Sequence, residues 1–460
     1  MTGGHTLVGT TLRQRSAAAV ADPKLRTKTR AGVDRFAGHR LVGLATLDDA
    51  DGLRDAARAI RAGILADLPS LLERFADRVL ALGGHVCWAA DGAEANAYIA
   101  SVAAERGVRT VVKSKSMATE ETGLNEALAR TGVRVVETDL GEWIIQLAHE
   151  TPSHIIAPAL HRDRHDVADL FEVVAGGTRP DSAPEVLAAF ARERLRAEFL
   201  GADMGISGAN FGVADTGSIV LVTNEGNGRL VTSVPPVHVA VMGMERLVAS
   251  WEQLDLMLNL LARSATGQHL SSYTSVITGP RRAGEADGPE ELHVVILDNG
   301  RSDLLGGEFH EMLACIRCGA CLNVCPVFRQ IGGHAYGWVY SGPMGAVLTP
   351  LLAAKEAEAA EVANASTLCG ACMDACPVGI PLQDLLLGLR RRKAASAKRT
   401  ERAAWKVWAA ACSRPSTYRA STRAIGVGGV AGRRLSLWPG RETPVPVRRT
   451  FRQRWDAGEI

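Results

Sequence analysis

The sequence predicts an α/β N-terminal domain, then an α-helical ferredoxin-type domain carrying 4Fe-4S ligand motifs, then a C-terminal arm. Three observations predict it. Short apolar runs alternate with helical stretches between Gly84 and Glu137, a four-cysteine-plus-proline run spans Cys315 to Pro326 and returns in shorter form at Cys369 to Pro377, and periodicity fades after residue 396. The expected division is an N-terminal extension over 1–45, the α/β domain over 46–300, a helical two-cluster domain over 301–395 and a C-terminal helix and Trp/Pro/Arg-rich arm over 396–460.

The extension is basic and polar from Thr11 to Arg30 and lacks the apolar segment of an export signal. From Thr46 to Arg74, Leu53, Ala57, Ile60, Ile64, Leu68 and Leu72 recur at helical spacing between charges. Strand, helix, strand then follow. Gly84 to Ala89 is a short apolar run, Ala93 to Arg106 has helical period, Thr110 to Lys113 is a second strand, Asn125 to Arg130 is helical and Val133 to Glu137 is a third strand. Such alternation is the signature of βαβ units and a parallel sheet. Gly201 to Gly228 is rich in turn residues around the apolar strand Ser218 to Thr223, Val237 to Met242 is a further strand, and the domain ends near Asp298 to Arg301. Ligands of such folds gather in loops at strand ends.

Seven of the nine cysteines lie in the two runs. Thiolates two residues apart on a tight turn reach three corners of an iron-sulfur cube, while Gly319, Ala320, Gly370 and Ala371 let backbone approach the sulfides. In two-cluster proteins the last cysteine of each run serves the other cluster. Cluster one is then expected on Cys315, Cys318, Cys321 and Cys376, and cluster two on Cys325, Cys369 and Cys372. One ligand is missing. Counting back from Cys369 lands on Ser366, so the second site takes Ser366 or water as its fourth ligand, or loses an iron and becomes 3Fe-4S. Zinc sites want paired Cys-x-x-Cys motifs and have no role for the trailing cysteine and proline; disulfides fit neither the close spacing nor the missing secretory signal. Cys87 reads as a small buried residue and Cys412 has no partner nearby.

The 43 residues between the runs include Gly332 to Pro343 and an Ala/Glu-rich helix from Leu351 to Ala363, which makes this module helical rather than a compact β-type ferredoxin. Beyond Leu382 a helix ends in Arg390-Arg-Arg-Lys393, where cations complement the helix dipole. The last sixty residues hold a helix with Trp405 and Trp408, a glycine-rich link from Gly426 to Gly432, Trp438 to Pro444 and Phe451 to Trp455, the pattern of an arm docked on another surface.

At 460 residues and 47% hydrophobic, the chain can bury sizeable cores, and a net charge of +2 argues against nucleic-acid binding. No apolar stretch is long enough to span a membrane, and thiolate clusters suit a cytoplasmic protein, either free or peripheral at the inner membrane face. Lys113 and Lys115, with Ser114 and Ser116, follow a strand, and Glu142, His154, His161, Asn224, Glu225 and Arg229 fall in polar loops; together they could build a carboxylate-binding pocket, or serve only as loop residues that cap helices. Gly226-Asn-Gly228 is no dinucleotide fingerprint, and no flavin or nicotinamide motif is evident.

Val112-Lys-Ser-Lys-Ser-Met117, Glu137-Thr-Asp-Leu-Gly-Glu-Trp-Ile-Ile-Gln-Leu147, Pro152-Ser-His-Ile155, Thr223-Asn-Glu-Gly-Asn-Gly-Arg229 and the two cysteine runs, in this order, resemble the lactate utilization protein B family over nearly the whole chain. The resemblance implies an iron-sulfur electron-transfer subunit of a bacterial system that oxidises L-lactate to pyruvate, working with companion lactate-utilization proteins A and C and passing electrons to a quinone or another carrier. It also implies two 4Fe-4S clusters, the second with three cysteines, and a first domain akin to the ribose-phosphate isomerase and CoA-transferase group. It supplies no catalytic residue. Two other readings of the residues stay open: an α/β domain that is itself a CoA- or phosphate-handling enzyme with the clusters as redox outlet, and a cluster-based redox sensor.

Overall fold

Ten strands form among the described residues: β1 (His85–Ala89), β2 (Thr110–Lys113), β3 (Arg134–Glu137), β4 (Met204–Gly208), β5 (Phe211–Val213), β6 (Ser218–Thr223), β7 (Val237–Gly243), β8 (Leu247–Val248), β9 (Tyr273–Ile277) and β10 (Glu291–Leu297). The computed structural model describes residues 9–353, 358–421 and 451–459. Six strands make one sheet in the order β1-β10-β7-β4-β2-β3, and every pairing in it is parallel. The chain is thus a mixed α/β protein built on a parallel sheet, as the strand and helix alternation predicts. A second sheet, in the order β8-β5-β6-β9, is inserted between β4 and β10.

Central strands of a parallel sheet are covered on both faces, so β7 is buried at every position. Its side chains alternate between two cores: Val237, Val239 and Val241 face one, while Ala240 and Met242 face the other. The second of these cores is large. It takes in the helices Ala50–Ala66 and Leu68–Ala81, the second sheet, and Ile316, Leu322, Phe328 and Val347 of the cysteine-bearing module. Apolar burial is therefore continuous from the sheet into that module, and residues up to Arg390 form one unit while those from Arg391 form another.

Local differences from the sequence reading have local causes. The helical stretch after Thr46 is two helices, because Pro69 cannot continue the first and instead starts the second. Residues 1–45 contain two described helices, Leu12–Ala21 and Pro23–Leu44, the second starting at the Asp22 cap, whose carboxylate accepts from Lys24 N and Leu25 N. The expected helix from Leu351 to Ala363 does not run through: one helix, Gly342–Leu352, contains Pro350 and ends two residues later, and Ala359–Val362 is a separate turn. Cys87 is half-buried rather than buried, because β1 is an edge strand. In the second unit, Trp405 and Trp408 lie exposed on the helix Arg399–Cys412. The glycine-rich link and the Trp438 to Pro444 segment lie outside the described residues.

Because every strand of the main sheet runs the same way, all their carboxyl ends share one edge. Ser114, Lys115 and Ser116 follow β2, Asp139 follows β3, Ala209 and Asn210 follow β4, Glu245 and Arg246 follow β7, and Arg301 follows β10. The fold thus collects at that edge the loop after β2 that the sequence singled out, together with strand-end residues that it did not.

Candidate functional site

The two cysteine runs fold alike. Arg317 and Leu368 adopt positive φ (60° and 56°), and two residues later Gly319 and Gly370 do so as well (78° and 85°). A left-handed residue is costly for anything but glycine, so each turn is held by its surroundings. Each glycine opens a short helix, Ala320–Val324 or Ala371–Asp374, which carries the next cysteine. The turn aims one N–H back along the chain. In the first run Arg317 N donates to Cys315 Sγ at 3.4 Å; in the second, Leu368 N donates to Ser366 Oγ at 3.1 Å. Ser366 therefore stands in its run where Cys315 stands in the first.

The thiols fall into two sets. Cys315, Cys318, Cys321 and Cys376 line one small cavity whose remaining wall is mainly apolar, including Ile155, Ile316, Val378 and Leu382. Cys376 belongs to the second run in sequence but faces the first-run thiols: Cys315, Cys318 and Cys376 each raise the pKa of others in the set, and Cys321 is raised by all three. Cys325, Cys369 and Cys372 form the other set by the same criterion. Among the described residues no three His, Cys, Asp or Glu side chains converge closely enough for a single metal ion; the four thiols surround a space instead. Burial, and then the neighbouring thiol of Cys376, pushes Cys318 up to about 12, and burial pushes Cys372 up to about 11. Cys369, exposed, is lowered by hydrogen bonds from Thr367 and the Ala371 N–H. Soft sulfur donors around an apolar space fit an iron-sulfur group, whose iron displaces the thiol protons on binding. Tyr336, fully buried, lies beside the Cys325 thiol, and its hydroxyl finds no well-formed hydrogen bond among the described residues.

Arginines fasten the first run to the sheet edge. Arg61, fully buried on the helix Ala50–Ala66, donates to the carbonyls of Glu245 (2.6 Å), Leu247 (2.8 Å), Leu313 (3.0 Å) and Ala314 (3.1 Å). Arg246 donates to Cys315 O at 2.8 Å and to Asn210 O. Arg317, between two cysteines, pairs with Glu245 at 3.3 Å and lies over the Tyr340 ring at 4.5 Å. Beneath them, Glu121 accepts two bonds from Arg301 (2.9 and 2.8 Å), one from Asn299 (2.6 Å) and one from Tyr340 (2.7 Å). The N-terminal helices close over the module: Arg15 Nε donates to Ala335 O at 2.9 Å and Arg40 to Ala375 O at 3.1 Å.

A larger cavity of about 310 Å³ opens at the carboxyl edge of the sheet. Ser114, Lys115, Asp139, Asn210, Glu225, Glu245, Arg246 and Arg301 line it from the α/β side, and Arg317 and Tyr340 from the cysteine module. Of the ten residues nominated for a pocket, Ser114, Lys115, Ser116, Asn224 and Glu225 line this cavity, and Lys113, Glu142, His154, His161 and Arg229 do not. Lys113, the last residue of β2, points into the protein and is clasped by Glu120 at 2.9 Å and Glu137 at 2.8 Å. Burial lowers the pKa of Lys113, but those carboxylates outweigh it and hold the lysine above its ordinary range. Glu142 is buried with one carboxylate oxygen unpartnered; burial, with Glu120 close by, raises it well above the usual range. His154 is buried and neutral, drawn down to about 3 by burial and by Lys115. Its Nε2 bonds Asn323 Oδ1 at 3.1 Å inside the first cysteine run, and its ring meets Phe36 and Phe328, so it joins elements rather than facing a ligand. Arg229 is exposed on the helix Asn227–Ser233. His161 bonds Glu150 at 2.7 Å, and Asn224 lines the cavity near its mouth.

Lys115 has neither a hydrogen bond nor an ion pair among the described residues. Burial draws its pKa down, and Glu142, Asp139 and Glu225 partly offset this. Glu225 caps the helix Leu140–Leu147 by accepting from Leu140 N at 2.9 Å, and burial with Asp139 nearby pushes it up to about 7 although much of the residue is exposed. Sequence reasoning missed Arg61, Glu121, Glu245, Arg246, Arg301, Arg317 and Tyr340. Position was the one available signal: Glu245-Arg246 and Arg301 each follow an apolar strand, and Arg317 sits inside a ligand motif.

Family models match residues 72–297 as a LUD domain, 311–380 as a 4Fe-4S dicluster domain and 388–459 as lactate utilisation protein B, C-terminal. Curated relatives include lactate utilization protein B of Shouchella clausii, 52% identical over 81% of this chain and 78% of that protein. That of Bacillus licheniformis is 49% identical over 85% and 82%, and that of an Exiguobacterium species 46% over 94% of each. Among solved structures, a DUF162 family protein from Deinococcus radiodurans aligns with 50% of this chain at 15% identity and a TM-score of 0.29. No helix among the described residues is long and apolar enough to cross a membrane. With a LUD domain, a dicluster iron-sulfur domain and the matching C-terminal segment in this order, the chain belongs to the lactate utilization protein B family.

Proposed function

We propose that this chain is the electron-carrying iron-sulfur subunit of a system that oxidises L-lactate to pyruvate, working with companion proteins A and C and delivering electrons to a quinone or another carrier. Bound iron-sulfur groups would supply one-electron storage with little reorganisation. The chain's own part is to hold them, bury them and fix their separation. Cys315, Cys318, Cys321 and Cys376 hold the first, and Cys325, Cys369 and Cys372 the second, with Ser366 as its oxygen ligand. The observation that carries this reading is the division of seven thiols into two sets that cross between the runs, with Cys376 on the cavity of the first. The repeated N–H bond to Cys315 Sγ and Ser366 Oγ supports the serine. The α/β domain belongs, on this reading, with the ribose-phosphate isomerase and CoA-transferase group, the boundaries fall near residues 45, 300 and 395, and the protein works in the cytoplasm or peripherally at the inner membrane face.

The test is anaerobic purification with the two companion proteins, iron counting, and EPR before and after L-lactate. About eight irons per chain and a reduced-cluster signal that grows with L-lactate are expected. About four irons per chain, or clusters that stay oxidised with L-lactate and all three proteins present, would overturn the reading.

A further inference from the structure

The large cavity has the attributes of a binding site rather than a packing defect. It lies outside the carboxyl ends of parallel strands, the place where open α/β sheets take ligands. Its volume of about 310 Å³ stands at the lower end of small-molecule pockets. Its charges are not equivalent. Arg301 is neutralised by Glu121 and Glu245, Arg317 by Glu245, and Arg246 gives its N–H groups to backbone carbonyls. Asp139 accepts from Gly141 N and Glu142 N as a helix cap, and Glu225 accepts from Leu140 N. Lys115 alone among these lining charges makes neither hydrogen bond nor ion pair among the described residues. Two residues earlier Lys113 is fully clasped, so the sequence Lys-Ser-Lys places one structural ammonium and one uncommitted ammonium at the same strand end.

The cavity also abuts the thiols. Ile155 and Arg317 line both it and the small cavity formed by Cys315, Cys318, Cys321 and Cys376. One layer of side chains divides the two spaces.

We propose that this cavity binds a small organic acid anion, with its carboxylate on Lys115 and its remaining atoms toward the Arg317 and Ile155 wall beside the first thiol set. This site rests on the proposed function for the identity of the acid, a 2-hydroxy or 2-oxo acid of lactate size, and gives that subunit an organic ligand of its own. Arg246 and Arg317 act here as positioning residues, since their donors hold the cysteine run and the cavity wall. Lys115 supplies the charge-assisted contact.

The experiment uses the anaerobically purified full chain with its iron in place. L-lactate, pyruvate and inorganic phosphate are titrated separately by calorimetry, and each addition is repeated under EPR. L-lactate or pyruvate is expected to bind and to alter the signal of the neighbouring cluster, with phosphate weaker. Lys115→Met, which keeps length and removes charge, should weaken acid binding by about 10- to 100-fold, while Lys115→Arg restores most of it. Iron content and thermal midpoint report whether the variants are folded. Equal acid affinity in a folded Lys115→Met protein would overturn the site, as would phosphate binding more tightly than both acids. Failure of this site is separable from failure of the proposed function: lactate-driven reduction that survives Lys115→Met in the three-protein system sinks the cavity alone, and Lys115-dependent pyruvate binding without any lactate-driven reduction sinks the relay alone.

Discussion

Replacing Arg301 by Met removes the cation between two buried carboxylates and provides a sharp energetic test. Glu121 and Arg301 are each 1% exposed. Glu121 now accepts four hydrogen bonds, and loss of Arg301 leaves those from Asn299 and Tyr340. Glu245 loses its 2.9 Å pairing and keeps Arg317 at 3.3 Å. Breaking a buried pair from one side costs about 3–5 kcal/mol, because the remaining charge is uncompensated. With a urea dependence of about 3 kcal/mol/M, at the upper end for small proteins, the unfolding midpoint falls by roughly 1–1.7 M. Tryptophan fluorescence of the metal-free protein at pH 7 measures it. The pH dependence is equally specific. Burial raises the pKa of Glu121, but Arg301, with Asn299 and Tyr340, outweighs burial and holds it below the usual value. In the native protein that stabilisation is therefore present above about pH 4.3 and is lost as pH falls through the lower folded value. Without Arg301, burial dominates and the folded pKa rises, so the sign reverses: the variant's deficit shrinks as pH falls from 8 toward 5. Glu121→Gln in the Arg301→Met background should recover at least half of the loss. A deficit below about 1 kcal/mol at pH 7, well under the cost of an unpaired buried charge, or one that does not shrink on acidification, would refute the reasoning.

Gly333 and Gly63 make a matched pair. An added Cβ at Gly333 would stand 1.7 Å from Ser153 O, so Gly333→Ala should destabilise by about 1–3 kcal/mol or more, whereas Gly63, in a helix with nothing within 4 Å, should gain about 0.5–1 kcal/mol as alanine; urea midpoints decide both. Glu225 ionises near its raised value of about 7, adding negative charge to the cavity as pH rises, so acid binding should weaken between pH 6 and 8 and Glu225→Gln should flatten that profile in calorimetry. Ser366→Cys should slow iron loss from the second site in air, read by iron count against time; an unchanged rate would show that this position does not face the cluster.

What the sequence revealed depended on how local the signal was. Strands β1, β2 and β3, the strand β7 and the cysteine spacing are encoded within a few residues, by apolar period and by ligand geometry, and they were legible. Pairing was not: β1 lies beside β10, which comes about two hundred residues later, and no periodicity announces such a neighbour. The pocket candidates divide for a similar reason, half of them lining the cavity and half not. Lys113 and Lys115 look alike in sequence, but the first ends a strand and points inward to Glu120 and Glu137 while the second has left the strand and lines the cavity. Polarity marks a residue as needing a partner without saying whether the partner is protein or ligand. The arginines that build the site escape sequence reading because their partners come from distant segments: backbone carbonyls for Arg61 and Arg246, carboxylates for Arg301 and Arg317.

Those arginines set the mechanical character of the site. Arg61 ties Glu245 and Leu247, just beyond β7, to Leu313 and Ala314, just before the first ligand cysteine, and Arg246 ties the same loop to Cys315 itself. A buried guanidinium that satisfies four carbonyls fixes their separation, since moving any one of them strands a polar group away from water. The sheet edge and the first cysteine run therefore cannot shift independently. For the proposed electron carrier that rigidity would be useful, because donor and acceptor positions stay constant while charge changes. It also makes the proposed acid site a preformed one: a ligand on Lys115 would meet a wall already held by Glu245, Cys315 and Tyr340 through the arginines, so its affinity would come from the contact made and little would be lost to ordering the cavity.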